Sequence, residues 1–204
     1  LVTGAFSGIG LATALRLAQD GWRVYAAGRN VSKNGALITQ AQALGVQIKS
    51  IAMDVTNESS IQTAIDQITQ ESGRLDLLVN NAGYVQFGAI EEGSIADVQA
   101  QFDTNLFGVI RMVKAVLPVM RQQGSGRIIN ISSIVGHIAA PYGGLYGASK
   151  FALEGLSESL SAEVRQFGVS VSLVEPSYVN TPIVTQLPTN LIADYTPGRQ
   201  IAQQ

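Results

Sequence analysis

The chain has 204 residues, 46% of them hydrophobic and 14% charged, with 13 Lys+Arg against 15 Asp+Glu and a net charge of −2. That length suits one domain with a substantial buried core, and the charge balance excludes a cationic surface built for nucleic acid or an anionic membrane. The absence of cysteine excludes disulfides, thiolate metal sites and cysteine nucleophiles, and it agrees with a reducing, cytoplasmic setting.

Short apolar runs alternate with longer helical stretches, the pattern of βαβ units and a parallel sheet. Residues 1–3 read as the tail of a first strand. A glycine-rich turn follows, then a helix through Leu11, Ala14, Leu15 and Ala18 that stops at Gly21. Residues 24–27, 46–52 and 75–79 read as the second, third and fourth strands, with helices over 33–44 and 58–71 between them. One long apolar helix is expected over 94–120, carrying Ile95, Val98, Phe102, Leu106, Val109, Val113 and Val116 at helical spacing. Residues 127–131 form a fifth strand, 146–167 another helix and 169–174 a sixth strand before Pro176. The expected fold is α/β, a doubly wound parallel sheet of Rossmann type with helices on both faces. It forms a single domain over 1–204, read as cut short at both ends. Residues 181–204, rich in Pro, Thr, Asn and Gln, read as a mobile loop. No apolar run is long enough for a transmembrane segment.

The turn Thr3-Gly4-Ala5-Phe6-Ser7-Gly8-Ile9-Gly10 joins a strand to a helix. Glycines there allow a tight turn and a close approach of backbone to a pyrophosphate, and the helix N-terminus offers free N–H groups to the anion. The spacing G-x-x-x-G-x-G matches neither the G-x-G-x-x-G fingerprint nor a P-loop, and by itself it also suits an ordinary strand–helix turn. At the end of the second strand, where a sheet that binds NAD usually places an acidic residue, Gly28 is followed by Arg29. A guanidinium there can grip a 2′-phosphate, so the expected cofactor is NADP(H); the alternative is a solvated loop charge. Asp54, just past the third strand, is a candidate to hold the adenine amino group, or else a surface aspartate. Val55 is placed with it in the cofactor site.

Tyr146-Gly147-Ala148-Ser149-Lys150 sets a phenol and an ammonium four residues apart, on one face of a helix. An unperturbed tyrosine has a pKa of about 10, and a nearby ammonium lowers it toward a usable acid/base. The same lysine reaches toward the ribose of a cofactor. Ser133 lies at the end of the fifth strand, thirteen residues before Tyr146. Its hydroxyl is placed to donate to a substrate oxygen as negative charge develops. A lone Y-x-x-x-K often only decorates a helix.

Six motifs occur in order. They are Thr3-Gly4 to Gly10, Asn80-Asn81-Ala82-Gly83, Asn105, Asn130-Ile131-Ser132-Ser133, Tyr146 to Lys150, and Pro176 to Thr181. In this the whole chain resembles the short-chain dehydrogenases/reductases. The resemblance implies Tyr146 as general acid/base, Lys150 as its tuner and ribose ligand, Ser133 as oxyanion donor, and Asn105 as holder of a proton-relay water. It also implies that Asn81, Ala82 and Gly83 line the cofactor and support the sheet, that Pro176 borders it, and that Thr181 meets the nicotinamide carboxamide. The stretch 149–174 is most similar to the branch acting on steroids, retinoids and other lipophilic ketones or alcohols. Ser177 stands where the family has glycine, and the resemblance places residues 181–204 on the substrate side.

His137 is the only histidine. A multi-histidine metal site is therefore excluded, no carboxylate cluster compensates, and no metal is expected. His137 reads as a loop residue without mechanistic duty. Ser157 and Ser159 lie in no G-x-S-x-G elbow, which removes a hydrolase reading. Leu156, Leu160 and Val164 suit either the core or a partner in a homodimer or homotetramer. The function expected is hydride transfer between NADP(H) and a carbonyl/alcohol carbon. The alternatives are an epimerase or dehydratase using the same Tyr/Lys pair, or a catalytically silent NADP(H)-binding regulator.

Overall fold

The computed structural model describes residues 1–183, 185–188 and 191–202. The strands are β1 (Val2–Thr3), β2 (Val24–Gly28), β3 (Ile48–Ala52), β4 (Leu77–Asn80), β5 (Val85–Gln86), β6 (Gly126–Ile131), β7 (Val169–Val174) and β8 (Thr185–Gln186). Six of them form one parallel sheet in the order β3-β2-β1-β4-β6-β7, while β5 pairs with β8 apart from it. The chain winds outward in both directions from the β1/β4 boundary, as in a doubly wound Rossmann sheet. A crevice therefore opens there, at the carboxyl ends of the strands.

Side chains alternate across each strand. Val24 and Ala26 face one core with Ala14 and Leu15 of α1 (Gly8–Gln19) and Leu37 and Ala41 of α2 (Gly35–Ala43). Tyr25 and Ala27 face the other. There they meet Ile61, Ile65 and Ile68 of α3 (Glu58–Ser72) and Met112, Val116 and Met120 of α5 (Gly108–Gln123). Two-sided burial explains why the inner strands β2 and β4 read as short apolar runs, whereas the edge strand β7 alternates Val and Ser. Asn57 starts α3 by accepting from the Ser60 N–H, and Gly73 ends it at φ 69°.

Two expectations change. The single helix over 94–120 is two helices, α4 (Ile95–Phe102) and α5, joined by a π-turn at Asp103–Phe107. The wide turn coincides with Asn105, whose amide is drawn inward onto the backbone of Tyr84. Of the residues that suit either core or partner, Leu160 and Val164 of α6 (Gly144–Val164) are core residues, and the partly buried Leu156 packs against that core. The tail read as a loop carries a 3-10 turn at Ala193–Tyr195 and the helix α7 (Thr196–Ala202); residues 184, 189, 190, 203 and 204 lie outside the described residues. Arg199 of α7 is buried in an ion pair with Glu92, which apolar periodicity does not reveal.

One polar chain ties the sheet to α6. Asn80 Nδ2 donates to Asn130 Oδ1 at 2.9 Å, Asn130 Nδ2 donates to Ser157 Oγ at 2.8 Å, and Ser157 donates to the Leu153 carbonyl at 2.7 Å. All three polar residues are buried. Asn130→Ala strands its two partners, and each buried unsatisfied group costs about 1–3 kcal/mol. The expected result is a lower urea midpoint with an unchanged slope; an unchanged midpoint would show that this chain carries no stability.

Candidate active site

The crevice is built around the turn between β1 and α1. Gly4 (φ +61°) and Gly8 (φ +54°) take conformations that side chains disfavour. At Gly4 a Cβ would also lie 2.9 Å from the Ala82 Cα. Gly10 plays a different part, because a Cβ there would fall on Asn81 Nδ2 and 2.5 Å from the Gly4 carbonyl. It lets the turn close on β4. Asn81 then locks the turn, its Nδ2 donating to the carbonyls of Thr3 (2.9 Å) and Gly4 (3.1 Å). Thr3 Oγ1 accepts from the N–H groups of Asn81 and Ala82, both at 3.0 Å. Ser7, at the N-cap of α1, makes no side-chain cap, which leaves the first-turn N–H groups for an anion.

Two cavities meet on this turn. One of about 460 Å³ is lined by Gly4, Arg29, Asp54, Val55, Ala82 and Gly83 among others. The second, of about 160 Å³, is lined by Gly4, Ser7, Gly8, Ile9, Asn81, Ala82, Gly83 and Thr181 together with Pro182 and Ile183. Gly4, Ala82 and Gly83 are common to both. The Asp54 carboxylate is oriented at the first wall, its Oδ1 accepting from the Thr56 N–H (2.9 Å) and hydroxyl (2.8 Å). Arg29 is exposed on the rim and makes no ion pair among the described residues. An extended dinucleotide fits this arrangement. Its pyrophosphate would sit against the uncapped α1 terminus, and an adenosine 2′-phosphate would come within the ambit of Arg29.

Tyr146 lies in the first turn of α6 and Lys150 one turn on, as the spacing requires. Burial holds the Tyr146 phenol above its ordinary pKa, and a hydrogen bond with Ser133 pulls it partly back. The expected lowering by Lys150 is absent. Its Nζ lies 5.7 Å from the centre of the Tyr146 ring and donates to the Ile131 carbonyl at 2.7 Å. Burial lowers Lys150 to about 8, opposed by the charge of Glu154. Ser133 caps a short 3-10 turn, Ile134–Gly136, and its hydroxyl donates to the Pro176 carbonyl at 3.4 Å. Ser177 is exposed and has no positive φ, so serine is accommodated in an ordinary conformation where the family has glycine.

Asn105 is engaged on both sides of its amide. Oδ1 accepts from the Tyr84 N–H at 3.2 Å, and Nδ2 donates to the Tyr84 carbonyl at 3.0 Å and to Ser149 Oγ at 3.3 Å. Ser149 in turn donates to the Tyr146 carbonyl at 2.6 Å. Asn105 thus reaches the tyrosine through Ser149, a residue that sequence reasoning passed over. Glu154 was also missed, although Tyr146, Lys150 and Glu154 repeat every four residues on one face of α6. The fold brings Glu154 and Glu175 beside His137, which corrects the expectation that no carboxylates join that histidine. Among the described residues no helix is long and apolar enough to cross a membrane.

These elements recur in known proteins. The sequence model of the short chain dehydrogenase family matches residues 1–191. A 3-ketodihydrosphingosine reductase of Bacteroides thetaiotaomicron is 46% identical over 89% of this chain and 64% of its own length. Bovine retinol dehydrogenase 8 is 41% identical over 94% of this chain and 61% of its own, so the chain spans about three-fifths of these relatives. A short-chain dehydrogenase from Streptomyces avermitilis superposes with a TM-score of 0.89 at 35% identity, covering 99% of this chain and 76% of that one. A metagenomic short-chain oxidoreductase in complex with NADP superposes at 0.81 with 38% identity, covering 87% and 80%. One from Burkholderia phymatum in complex with NAD does so at 0.84 with 32%, covering 89% and 66%. The chain belongs to the short-chain dehydrogenase/reductase family, on the side of it that includes steroid and retinoid enzymes.

Proposed function

We propose that the protein is an NADP(H)-dependent oxidoreductase moving a hydride between the nicotinamide and a carbonyl/alcohol carbon of a small lipophilic substrate, with Tyr146 as general acid/base. The observation that carries this reading is the placement of Ser133 just past the end of β6 and of Tyr146 and Lys150 one turn apart on α6, with burial raising the phenol above its ordinary pKa and lowering the lysine to about 8. When bound, the dinucleotide supplies or accepts the hydride at carbon. In carbonyl reduction, Tyr146 gives its proton to the substrate oxygen and Ser133 donates a hydrogen bond to that oxygen as charge develops. The Lys150 ammonium then stabilises the phenolate until a proton returns from solvent. Asn105 and Ser149 hold the Tyr146 backbone.

Arg29 supports NADP(H). It is the exposed cation on the wall that also carries Asp54, and no carboxylate follows β2. A lipophilic substrate is supported by the relatives' names and by the exposed apolar side chains of Ile138, Tyr178, Val179 and Ile183 on the segments after Ser133 and Pro176.

Measured as NADPH consumption with a panel of aldehydes, steroids, retinoids and acyl ketones, Tyr146→Phe is expected to lower kcat by about 10²–10⁴-fold. Full activity in that variant would overturn the mechanism. Arg29→Ala is expected to cut kcat/KM for NADPH by about 10- to 150-fold, the worth of a charge-assisted contact, and to leave NADH nearly unaffected. Indifference to the substitution would refute the cofactor assignment. Lys150, lowered to about 8, is an ammonium below that pH and a neutral amine above it. The plot of log kcat/KM for the dinucleotide is therefore expected to bend downward near pH 8, because this parameter reports groups of the free enzyme. A flat profile from pH 7 to 9.5 would count against a charged Lys150 in cofactor capture.

A further inference from the structure

Beside the catalytic line, three potential ligands converge from separate segments. His137 closes the 3-10 turn that follows Ser133, Glu154 lies two turns beyond Tyr146 on α6, and Glu175 follows β7 directly. His137 Nε2 is 3.3 Å from Glu175 Oε2 and 3.7 Å from Glu154 Oε2, and one ligand atom from each residue lies within 4.8 Å of the others. A tetrahedral ion with bonds of about 2.0–2.2 Å sets its ligands roughly 3.3–3.6 Å apart, which the two separations from His137 approach.

Glu154 points to a ligand independently of that spacing. It is only 7% exposed, and its Oε1 has no hydrogen-bond partner among the described residues. A buried carboxylate short of donors is costly unless a cation meets it. Lys150, the cation one turn away on α6, already donates to the Ile131 carbonyl. The other side of the carboxylate faces His137. The Ser132 hydroxyl is likewise buried without a partner, and a Cβ on Gly136 would lie 3.1 Å from both it and Glu154 Oε1. His137 and Glu175 are exposed, which leaves an entry path from solvent.

We propose that His137, Glu154 and Glu175 form a site for a divalent transition cation of the zinc type, with its fourth position open to water. One imidazole with two carboxylates suits such an ion better than magnesium or calcium, which favour all-oxygen sets. The bound ion would join the Ser133 turn, the α6 face and the segment leading into Pro176, and so would stiffen the ligand-bearing end of the sheet.

The test uses metal-free protein titrated with Zn²⁺ by calorimetry and thermal unfolding, and with Co²⁺ by visible absorption. Expected are one equivalent of saturable binding, a Tm raised by about 5–10 °C at a hundredfold excess over Kd, and a visible Co²⁺ spectrum of low coordination number. His137→Ala and Glu175→Gln, both at exposed positions, should each weaken binding at least tenfold, and Glu154→Gln should do the same. Absence of saturable binding up to millimolar metal would overturn the proposal. So would binding that His137→Ala abolishes but both glutamine variants retain, which marks a lone histidine. None of these readouts requires turnover, so they stand or fall apart from the proposed reaction.

Discussion

Lys150 is an ammonium held away from water, and the adjoining ends of β6 and α6 are arranged around that cost. Transferring such a charge into a protein interior is unfavourable unless it is paired and hydrogen-bonded. Here the Ile131 carbonyl, at the last residue of β6, accepts a hydrogen bond from it, and Glu154 supplies an opposing charge from the next turn of α6. Meeting both needs sets the height of α6 against β6. Once that height is set, Tyr146 stands one turn above Lys150, and Ser133, two residues past Ile131, comes within hydrogen-bonding range of the phenol. The buried chain Asn80–Asn130–Ser157 repeats the same restraint one level deeper. The geometry of the Tyr146–Lys150 pair thus follows from the accommodation of one cation.

The cofactor side rests on a comparable economy of contacts. Thr3 and Asn81 are neighbours because β1 and β4 flank the point where the winding reverses, and the glycine turn hangs from those two residues. Gly10 belongs to this lock more than to the ligand, since a side chain there would displace Asn81. Gly4 serves both purposes, as it has positive φ and lies on the wall common to the two cavities. The α1 terminus then presents uncapped N–H groups to the same space.

Most of this was legible in the sequence. Strands buried on both faces give apolar runs, and glycine and proline punctuate them, so all six strands of the main sheet fall within two residues of their expected bounds. Tyr146 and Lys150 were legible because helical spacing is local. What was not legible depends on contacts across the chain. The π-turn at Asp103–Phe107 has no composition of its own; it exists because Asn105 finds Tyr84 and Ser149. The pairing of Arg199 with Glu92 spans more than a hundred residues and involves charges that a sequence reading assigns to the surface. The pKa of Tyr146 went the other way from expectation because burial, which sequence spacing does not report, outweighs a lysine turned toward a carbonyl.

The same distinction explains why His137 looked idle. Its partners are 17 and 38 positions away, on a helix and at a strand end, and neither spacing has a local meaning. Glu154 alone carried a local clue, as the third member of a four-residue repeat that begins at Tyr146. It has two polar neighbours, the Lys150 ammonium on its own helix and the His137 imidazole across from it. Lys150 stays protonated to about pH 8 with Glu154 raising it, so a change in what faces that carboxylate on the His137 side also alters the field felt at Lys150. Through one buried carboxylate, the exposed face at His137 and Glu175 is electrostatically continuous with Lys150.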